Sequence, residues 1–294
     1  MSQPPMEQWY REYKPLLFSI AYRMLGAVSE AEDIVHDLFL TIPKLHTEAI
    51  HNTKAYLCKA VTHRCIDYLE SARVRREQYV GPWLPEPLLY DAASHGDDPL
   101  WLAERNDDIS FALLLLLERL NPVERAIFVL RQAFDYDYKD IAEILGRSEA
   151  ACRKTFSRLK EKLEAERPSA ESDELQTTEP LVRGFLQAVD TGDVEQFLHL
   201  LTEDAILLSD GGGKVRSAVR PILGADRVAA FLLGVNSKRP DSMVAQPAVI
   251  NGSPGIVHLH NGRPYSMMLF ELLDSRVHRV YVVRNPDKMR HVKM

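Results

Sequence analysis

The sequence predicts a multidomain protein in which two all-α helical units precede a domain of the α+β class. Residues from about Met6 to Arg76 repeat apolar side chains at helical spacing and contain no strand pattern. A second helical pattern covers residues 107–167. From Pro180 onward, short helices are followed by alternating strands with Asn-Gly turns between them, which is typical of an α+β domain.

The length and composition agree with several packed domains. A chain of 294 residues suits two or three domains, and 46% hydrophobic residues are enough to exclude a disordered protein. The pattern changes predict the following boundaries: a helical domain at 1–78, a linker at 79–106, a second helical domain at 107–167, a polar acidic linker at 168–179, and an α+β domain at 180–294.

Charge and cysteine content narrow the class of protein. The net charge is −6, so binding of nucleic acid has to come from local basic patches. Cys58, Cys65 and Cys152 lie in predicted helices and form no metal-binding pattern, so we expect reduced core thiols and no metal or cofactor. The N-terminus lacks an apolar signal core, and the run Leu113–Leu117 is too short for a bilayer. We expect a soluble, cytoplasmic protein without membrane contact.

The first helical unit contains a long basic helix. A preceding amphipathic helix ends at Gly26, and Ser29 with Glu32 predicts a capping box for the next helix. The third helix, Thr53–Arg76, interleaves tyrosines with lysines and arginines on its polar side. Such a face suits single-stranded DNA, because bases stack on rings while cations hold phosphates. An ordinary solvated helix face is the alternative.

The linker after this helix predicts an extended, docked segment. Four of the seventeen prolines, Pro82, Pro85, Pro87 and Pro99, fall there, and proline favours extended backbone. Trp83, Leu84 and Trp101 are apolar anchors that a free linker does not need. We therefore expect this linker to pack against a folded domain.

The second unit ends in a predicted helix-turn-helix. Asn121-Pro122-Val123-Glu124 begins a helix that runs to Arg131, and the motif itself spans Asp137–Leu163. Asp137 caps its first helix, Gly146 ends that helix and Ser148 caps the second. The second helix presents Lys154, Ser157 and Arg158 away from its apolar side, with Arg153 on the flank. This is the layout of a helix that could enter a DNA major groove. A plain helical hairpin with a charged face is the alternative.

The C-terminal pattern predicts helices followed by an antiparallel curved sheet with a cavity. The predicted helices are Leu181–Asp190, Val194–Leu201 and Ala225–Leu233, and the predicted strands are Ala205–Ser209, Val215–Ile222, Met243–Ile250, Gly255–His260, Tyr265–Leu273 and Arg276–Arg284. The sequence Gly211-Gly212-Gly213-Lys214 lacks phosphate-loop spacing and predicts a turn. His258 and His260 share a strand face, but no further ligand completes a metal set.

Several segments together resemble a bacterial RNA polymerase sigma factor of the small extracytoplasmic-function class. They are Gly26–Asp37, Ala55–Leu57, Ile66–Leu69, Leu120–Arg125 and the helix-turn-helix. The last part resembles a SnoaL-like domain of the NTF2-like cone fold. Trp83-Leu84-Pro85-Glu86-Pro87, Asp210–Lys214 and Asn285–Lys288 look like the subgroup that carries such an extension.

The resemblance implies a transcription initiation factor that binds core RNA polymerase and a two-part promoter. The implied polymerase-binding residues are Asp33, Ile34 and Asp37, on the clamp of the largest subunit, with the flap as a further contact. The implied minus-ten residues are Asn52, Lys54, Tyr56, Arg64, Arg73 and Arg76, next to the loop His46–Asn52. The implied minus-thirty-five residues are Arg153, Lys154, Ser157 and Arg158. His36 stands where the family usually has Gln.

The same resemblance implies regulation in cis by the C-terminal domain. The residues expected to form the regulatory contact are Trp83, Leu84, Pro85, Asp210, Gly211, Lys214, Asn285, Pro286, Asp287 and Lys288. We expect a protein that is not an enzyme and is monomeric when free, with the C-terminal domain packed on the linker and both sigma domains.

Two other functions stay open at this point. In the first, the cone domain is an enzyme or a small-molecule sensor, and the sigma half carries out its response. Acid–base groups such as Asp190, Asp204, His258 or His260 would then act in the cone. In the second, the chain is a helix-turn-helix activator that binds duplex DNA without polymerase. The basic helix Thr53–Arg76 then has no role in DNA binding.

Overall fold

A computed structural model describes residues 6–42, 52–76, 79–90, 110–166 and 174–292. The described residues divide into two compact units. The first contains residues 6–76 and 113–166, and the second contains 79–90, 110–112 and 174–292. The loop preceding Asn52, the predicted anchor Trp101 and residues 167–173 of the second linker lie outside the described residues.

Seven helices provide the described part of the first unit. They are α1 (Met6–Leu25), α2 (Val28–Thr41), α3 (Thr53–Arg76), α4 (Phe111–Glu118), α5 (Pro122–Gln132), α6 (Tyr138–Leu145) and α7 (Glu149–Glu166), the first residues of α4 belonging to the second unit. The apolar side predicted for α3 is buried at Leu57, Val61 and Cys65. All three cysteines are buried free thiols, as expected.

The ends of the first helices follow local chemistry only in part. Gly26 has a φ of 66°, the left-handed conformation that glycine adopts at low cost, and α1 ends there as predicted. The capping box predicted for Ser29 and Glu32 is wrong. Helix α2 begins at Val28 with Ala27 in the cap position, and the Ser29 hydroxyl donates to the neighbouring Glu30 carboxylate instead.

The predicted helix-turn-helix is present. Asn121 and Glu124 form a complete capping box at the start of α5, with Pro122 at the first helical position. Gly146 adopts a φ of 62° at the end of α6, and the Ala151 amide donates to the Ser148 hydroxyl at 3.2 Å to start α7. Among the described residues, the backbone of α6 does not bond the Asp137 side chain, although Asp137 occupies the cap position.

The two helical regions of the first unit contact each other directly. Arg125 of α5 is only 3% exposed, and its guanidinium donates to the Met24 carbonyl at 2.5 Å and to Glu118 at 2.9 Å. The His63 ring of α3 lies 2.6 Å from the Ile144 carbonyl of α6. A buried charge needs such partners, because an unpaired one is strongly destabilising. These contacts join the first three helices to the helix-turn-helix region.

The second unit is an α+β domain. Its elements are β1 (Leu89–Tyr90), α8 (Glu174–Thr191), α9 (Val194–His199), β2 (Leu201–Asp210), β3 (Ile222–Leu223), α10 (Ala225–Asn236), β4 (Met243–Ile250), β5 (Ser253–His260), β6 (Arg263–Leu273), β7 (Arg276–Val283) and a 3₁₀ helix (Pro286–Met289). Helix α8 begins inside the predicted linker 168–179, so that boundary is wrong for Glu174–Glu179. Helix-forming residues such as Glu174 and Leu175 outweigh the polar composition there.

The strands form one sheet in the order β1-β4-β5-β6-β7-β2-β3. The pairs are antiparallel except β2 and β7, which run parallel. The expectation of an antiparallel sheet is therefore wrong for this pair. The chain between β2 and β7 contains β3, α10 and strands β4 to β6, so the two parallel strands are distant in sequence and are not joined by a short turn.

The strand predicted at Val215–Ile222 is also wrong. Within this fully described segment the strand is confined to Ile222–Leu223. The Lys214 and Val215 amides both donate to the Gly211 carbonyl, so the chain turns after β2. Val219 is 61% exposed, and Pro221 has no amide hydrogen for a sheet. Val219 therefore faces solvent, whereas Ile222 at the end of the segment packs against the core.

The central parts of strands β6 and β7 are buried on both faces of the sheet. Helices α8, α9 and α10 cover one face with a cluster that includes Phe185, Phe197, Phe270, Val280 and Val282. Because side chains alternate along a strand, Leu269, Tyr281 and Val283 point to the opposite face, and they are buried there as well. Asp210 is paired in register with Val283 and shares that opposite face.

Candidate nucleic-acid interface and linker anchor

The outer surface of α7 brings the four predicted minus-thirty-five residues together. Arg153, Lys154, Ser157 and Arg158 line one shallow depression, flanked by Glu149 and Glu161. All four side chains are exposed. The arrangement provides three cationic groups on one helix face, with a spacing that follows the helical repeat.

Both arginines of this surface are held by carboxylates of the same unit. The Arg153 guanidinium lies 2.6 Å from the Glu149 carboxylate, four residues earlier on the same helix. Arg158 pairs with Glu124, whose other oxygen completes the capping box of α5. Sequence reasoning assigned Glu124 to the cap but missed its second role, because its partner lies 34 residues away.

A tyrosine that sequence reasoning missed lies beside one of these arginines. The guanidinium groups of Arg131 and Arg153 lie 5.0 Å and 5.1 Å from the centroid of the Tyr138 ring. The edge of Phe156 packs against the same ring at 6.1 Å. Tyr138 opens α6, where an amphipathic pattern gives no reason to single it out.

The predicted minus-ten residues are spread along α3. Asn52 caps this helix by accepting from the Ala55 amide at 3.0 Å, and Lys54 is exposed beside it. Tyr56 is half-buried on the next turn, and Arg64 donates to the Thr41 hydroxyl at 2.8 Å. Arg73 and Arg76 belong to the same helix, but their side chains lie outside the described residues. A helix of this length spans about 36 Å, so these residues do not form one cluster.

The predicted polymerase-binding residues occupy one side of α2. Asp33 and Asp37 are exposed and one turn apart, while Ile34 is half-buried. Leu40 lies three residues beyond Asp37 and is 57% exposed. The sequence reasoning did not single out this leucine, which lies on the face of α2 opposite to buried Val35 and Leu38.

The second unit contains a buried anchor for residues 79–90, which we call the strap. Asp210 is completely buried at the end of β2. Its carboxylate accepts from the Tyr79 hydroxyl at 2.6 Å, from the Leu84 amide at 2.9 Å and from the Gly212 amide at 3.0 Å. It also pairs with the Lys288 ammonium at 2.8 Å. One carboxylate thus joins the strap to the sheet and to the C-terminal tail.

Lys288 holds the strap from the other side. This lysine is 5% exposed, and its ammonium also donates to the Leu84 carbonyl. The ammonium lies 4.0 Å from the centroid of a Trp83 ring and 5.2 Å from that of Tyr79, which is cation–π geometry. Burial and the neighbouring Asp210 raise the pKa of Tyr79, so its hydroxyl stays protonated and donates.

Glycine is required where the turn after β2 meets the strap. Gly212 has a φ of 58°, and a Cβ atom there would lie 2.2 Å from the Asn285 amide nitrogen. That nitrogen donates to the Tyr79 hydroxyl at 2.9 Å. Asn285 also caps the short helix Pro286–Met289 by accepting from the Asp287 amide. The glycine turn therefore lets the tail approach the strap closely.

The far end of the strap has its own attachment. The Leu88 amide donates to the Asn251 side chain at 3.0 Å, and the Asn251 amide donates to the Leu88 carbonyl at 2.8 Å. Beyond it, β1 pairs antiparallel with β4. The His291 ring lies 2.8 Å from the Pro87 carbonyl. Sequence reasoning assigned Asn251 only to a turn and missed His291, because neither lies near the strap in sequence.

The structure brings the predicted regulatory residues into one region of the second unit. Trp83, Leu84, Asp210 and Lys288 form the buried centre described above, and Pro85 is buried beside them. At the edge, Lys214 pairs with Asp287, and both side chains keep substantial solvent contact.

The predicted acid–base residues are not assembled into one site. Asp204 lies 3.5 Å from His278 and is 75% exposed, while Asp190 pairs with Arg239 at 3.3 Å. His258 is hydrogen-bonded to Ser266 at 3.1 Å. Within the described ranges, no three His, Cys, Asp or Glu residues are grouped to hold a metal ion. The helix-covered face of the sheet is filled by its own side chains, including Phe185, Phe197 and Phe270.

Comparison with known proteins assigns both helical regions. Residues 9–75 match the family "Sigma-70 region 2", and residues 110–163 match "Sigma-70, region 4". Two such regions, the second containing the helix-turn-helix, define a sigma factor. The chain belongs to the extracytoplasmic-function (ECF) RNA polymerase sigma factors, as the similarities to whole relatives show. It recognises promoters, binds RNA polymerase and acts in transcription initiation.

The relatives extend over nearly the whole chain. The ECF RNA polymerase sigma factor SigJ of Mycobacterium tuberculosis (strain ATCC 25618 / H37Rv) is 33% identical over 282 residues, which cover 92% of this chain and 89% of that protein. The probable ECF RNA polymerase sigma factor SigI of Mycobacterium tuberculosis (strain CDC 1551 / Oshkosh) is 28% identical over 292 residues, covering 98% and 97%.

A solved structure supports the same assignment. The crystal structure of the Mycobacterium tuberculosis extracytoplasmic function sigma factor SigJ superposes with a TM-score of 0.76 at 29% identity, covering 96% of this chain and 98% of that chain. The predicted fold class, two helical sigma domains followed by an α+β cone domain, is confirmed. In the described part of the chain, no helix has the length and apolar character needed to cross a membrane.

Proposed function

We propose that the second unit restrains transcription initiation in cis by holding the strap. The observation that carries the proposal is the buried Asp210 carboxylate, which binds the strap at Tyr79 and Leu84 and is neutralised by Lys288. The strap lies in sequence between sigma regions 2 and 4. Whatever holds it therefore acts on the connection between the two promoter-binding regions.

The strap can restrain initiation because the length of the chain between regions 2 and 4 limits how far apart they can move. Twelve residues in a fully extended chain span about 40 Å, and a docked strap cannot contribute this length. Region 2 and region 4 bind two promoter elements that are separated along the DNA. The docked strap restricts how far apart the two regions can move, and its release lengthens the connection.

The proposal is tested by transcription in vitro with core RNA polymerase and the full chain. Lys288→Met removes the ammonium that neutralises Asp210 and binds Leu84, so it releases the strap. Lys238→Met is the matched control, because it removes an exposed lysine of the same unit that does not belong to the predicted regulatory contact. We expect several-fold more promoter-specific transcript for Lys288→Met and wild-type activity for the control. Unchanged activity contradicts regulation through the strap, and a decrease contradicts restraint.

For region 4, we infer that the α7 surface reads the minus-thirty-five element. Arg153, Lys154, Ser157 and Arg158 line one exposed face, which supports this assignment. Arginine binds guanine edges through two hydrogen bonds, and both arginine and lysine bind phosphate. Promoter DNA displaces Glu149 and Glu124 from the arginines when it binds.

For region 2, we infer that the N-terminal end of α3 binds the minus-ten element. Asn52, Lys54 and Tyr56 lie within two turns of each other, with the first two exposed. A flipped base stacks on an aromatic ring while cations hold its phosphate, and trapping it offsets an unstacking cost of a few kcal/mol. Arg64, Arg73 and Arg76 extend the same basic helix along the single strand.

For the polymerase contact, we infer that the outer side of α2 docks on the clamp of the largest subunit. Exposed Asp33 and Asp37 provide the charge, and Ile34 and Leu40 provide apolar surface at the same side. Region 4 contacts the flap while it holds promoter DNA. The chain itself breaks no bond in this reaction, and the side chains that fill the helix-covered face count against a ligand sensor.

A further inference from the structure

Tyr138 lies between the helix that precedes the helix-turn-helix and the helix that faces DNA. Its ring packs against Phe156 of α7, and the guanidinium groups of Arg131 and Arg153 lie 5.0 Å and 5.1 Å from its centroid. Tyr138 is half-buried, whereas Arg153 is 63% exposed on the α7 surface. A partly buried ring is thus in contact with a solvent-exposed arginine.

The other arginine at this ring is fixed by its own partners. Arg131 donates to the Tyr136 carbonyl at 2.9 Å and pairs with Asp135 at 3.1 Å. Its side chain is 29% exposed. Arg131 therefore belongs to the local structure of the turn before α6, and it restricts the position of the Tyr138 ring.

The Arg153 side chain is more exposed than that of Arg131, so burial does not restrict its rotamers. A long side chain in solvent populates many rotamers, and fixing it on binding lowers affinity. The Tyr138 ring and the Glu149 carboxylate, 2.6 Å away, both restrict the guanidinium in the unbound protein. When DNA displaces Glu149, the ring contact still orients the guanidinium.

We infer that Tyr138 is a positioning residue that orients Arg153 for base recognition in the minus-thirty-five element. This inference rests on the proposed role of the α7 surface. Because phosphate contacts are insensitive to sequence, loss of orientation affects discrimination between bases more than overall binding. Tyr138 thereby acts on promoter specificity without contacting DNA itself.

The test is competitive transcription with the full chain and core polymerase on promoters that carry single base-pair changes in the minus-thirty-five element. Tyr138→Leu keeps apolar contact with Phe156 but removes the aromatic face, and Tyr138→Phe retains that face. Arg153→Ala identifies the base pair that the arginine reads. We expect Tyr138→Leu to lower discrimination at that same base pair about three- to tenfold, while Tyr138→Phe keeps the wild-type ratio.

The double variant Tyr138→Leu/Arg153→Ala separates positioning from a structural role. If Tyr138 acts through Arg153, the double variant discriminates no worse than Arg153→Ala alone. An additive loss, or an equal loss on every promoter, overturns the inference. If Tyr138→Leu does not fold, Tyr138→Met serves as the second variant without an aromatic face.

Failure of the proposed function has a different signature. Transcription by the wild-type protein would then not depend on any minus-thirty-five base pair. That result would also contradict the inference about Tyr138. A wild-type dependence that Arg153→Ala leaves unchanged overturns the positioning inference alone, because Arg153 then has no base to read.

Discussion

Asp210 accepts three hydrogen bonds and one charge-assisted contact at a place that solvent does not reach. Transfer of a carboxylate from water to such a place is unfavourable unless these partners are present. Removal of Lys288 alone therefore leaves an uncompensated buried charge, which typically destabilises by about 3–5 kcal/mol. The strap is bound by groups that depend on one another, so its docking should be cooperative.

The close contact at Gly212 can be tested by replacing this glycine with alanine. Gly212→Ala places a methyl group against Asn285 and forces alanine to a φ of 58°, so the contact with Tyr79 is lost. We expect a loss of about 2–4 kcal/mol in unfolding free energy from denaturant titration. Gly234→Ala is the control: no heavy atom lies within 4 Å of its added Cβ, and Gly234 lies in α10. That change should be neutral or stabilising by up to about 1 kcal/mol. Equal stability of both variants contradicts the close approach at Gly212.

Contacts between residues close in sequence could be predicted, whereas contacts between residues far apart in sequence were missed. The Asn121–Glu124 cap is local and could be predicted from four consecutive residues. Asp210 and Lys288 were expected as a set only through the family resemblance. The bond between Asn251 and Leu88 joins residues 163 positions apart, and no local pattern indicates it.

At the scale of elements, helices were predicted better than sheet pairing. Helix α3 and the helix-turn-helix follow from apolar periodicity and from glycine at a helix end, which are local properties. The segment Val215–Ile222 has the alternation of a strand, yet its neighbours fold as a turn and leave Val219 exposed. The parallel pairing of β2 with β7 depends on all the strands and the helix that lie between them in sequence. Periodicity identifies a strand but not its partner.

His258 of β5, which bonds Ser266 of β6, makes the stability of the second unit depend on pH. Burial, with smaller effects from Arg239 and Arg284, lowers the pKa of His258 to about 4. The unfolded chain has the ordinary pKa of about 6.5, so it binds the proton more readily than the native state. This contribution to stability is present above about pH 6.5 and is lost as the pH falls towards 4. It amounts to about 1–2 kcal/mol between pH 7 and pH 5.

His258→Gln removes that linkage while its amide can still bond Ser266. The fall in thermal midpoint between pH 7 and pH 5 should therefore be smaller for His258→Gln than for the wild-type chain. His199→Gln, at an exposed position of the same unit, controls for loss of a histidine. An unchanged pH dependence in His258→Gln would show that His258 is not a buried neutral group.

At the scale of the whole molecule, the strap belongs by its contacts to the second unit, although it lies in sequence between the two sigma regions. Within the first unit, regions 2 and 4 contact each other through Arg125 with Met24 and through His63 with Ile144. In the proposed mechanism, these contacts open when the two regions bind promoter elements that are separated along the DNA. The proposed regulation therefore couples two events, the separation of the helical regions and the release of the strap.

Hydrogen exchange at the Leu84 and Leu88 amides reports directly on release of the strap. These amides donate to Asp210 and Asn251, so both are expected to be protected in the free full-length protein. When the protein binds core RNA polymerase and a two-element promoter, we expect both amides to lose protection. Protection that is unchanged between the free protein and the transcription complex would contradict release of the strap as the regulatory step.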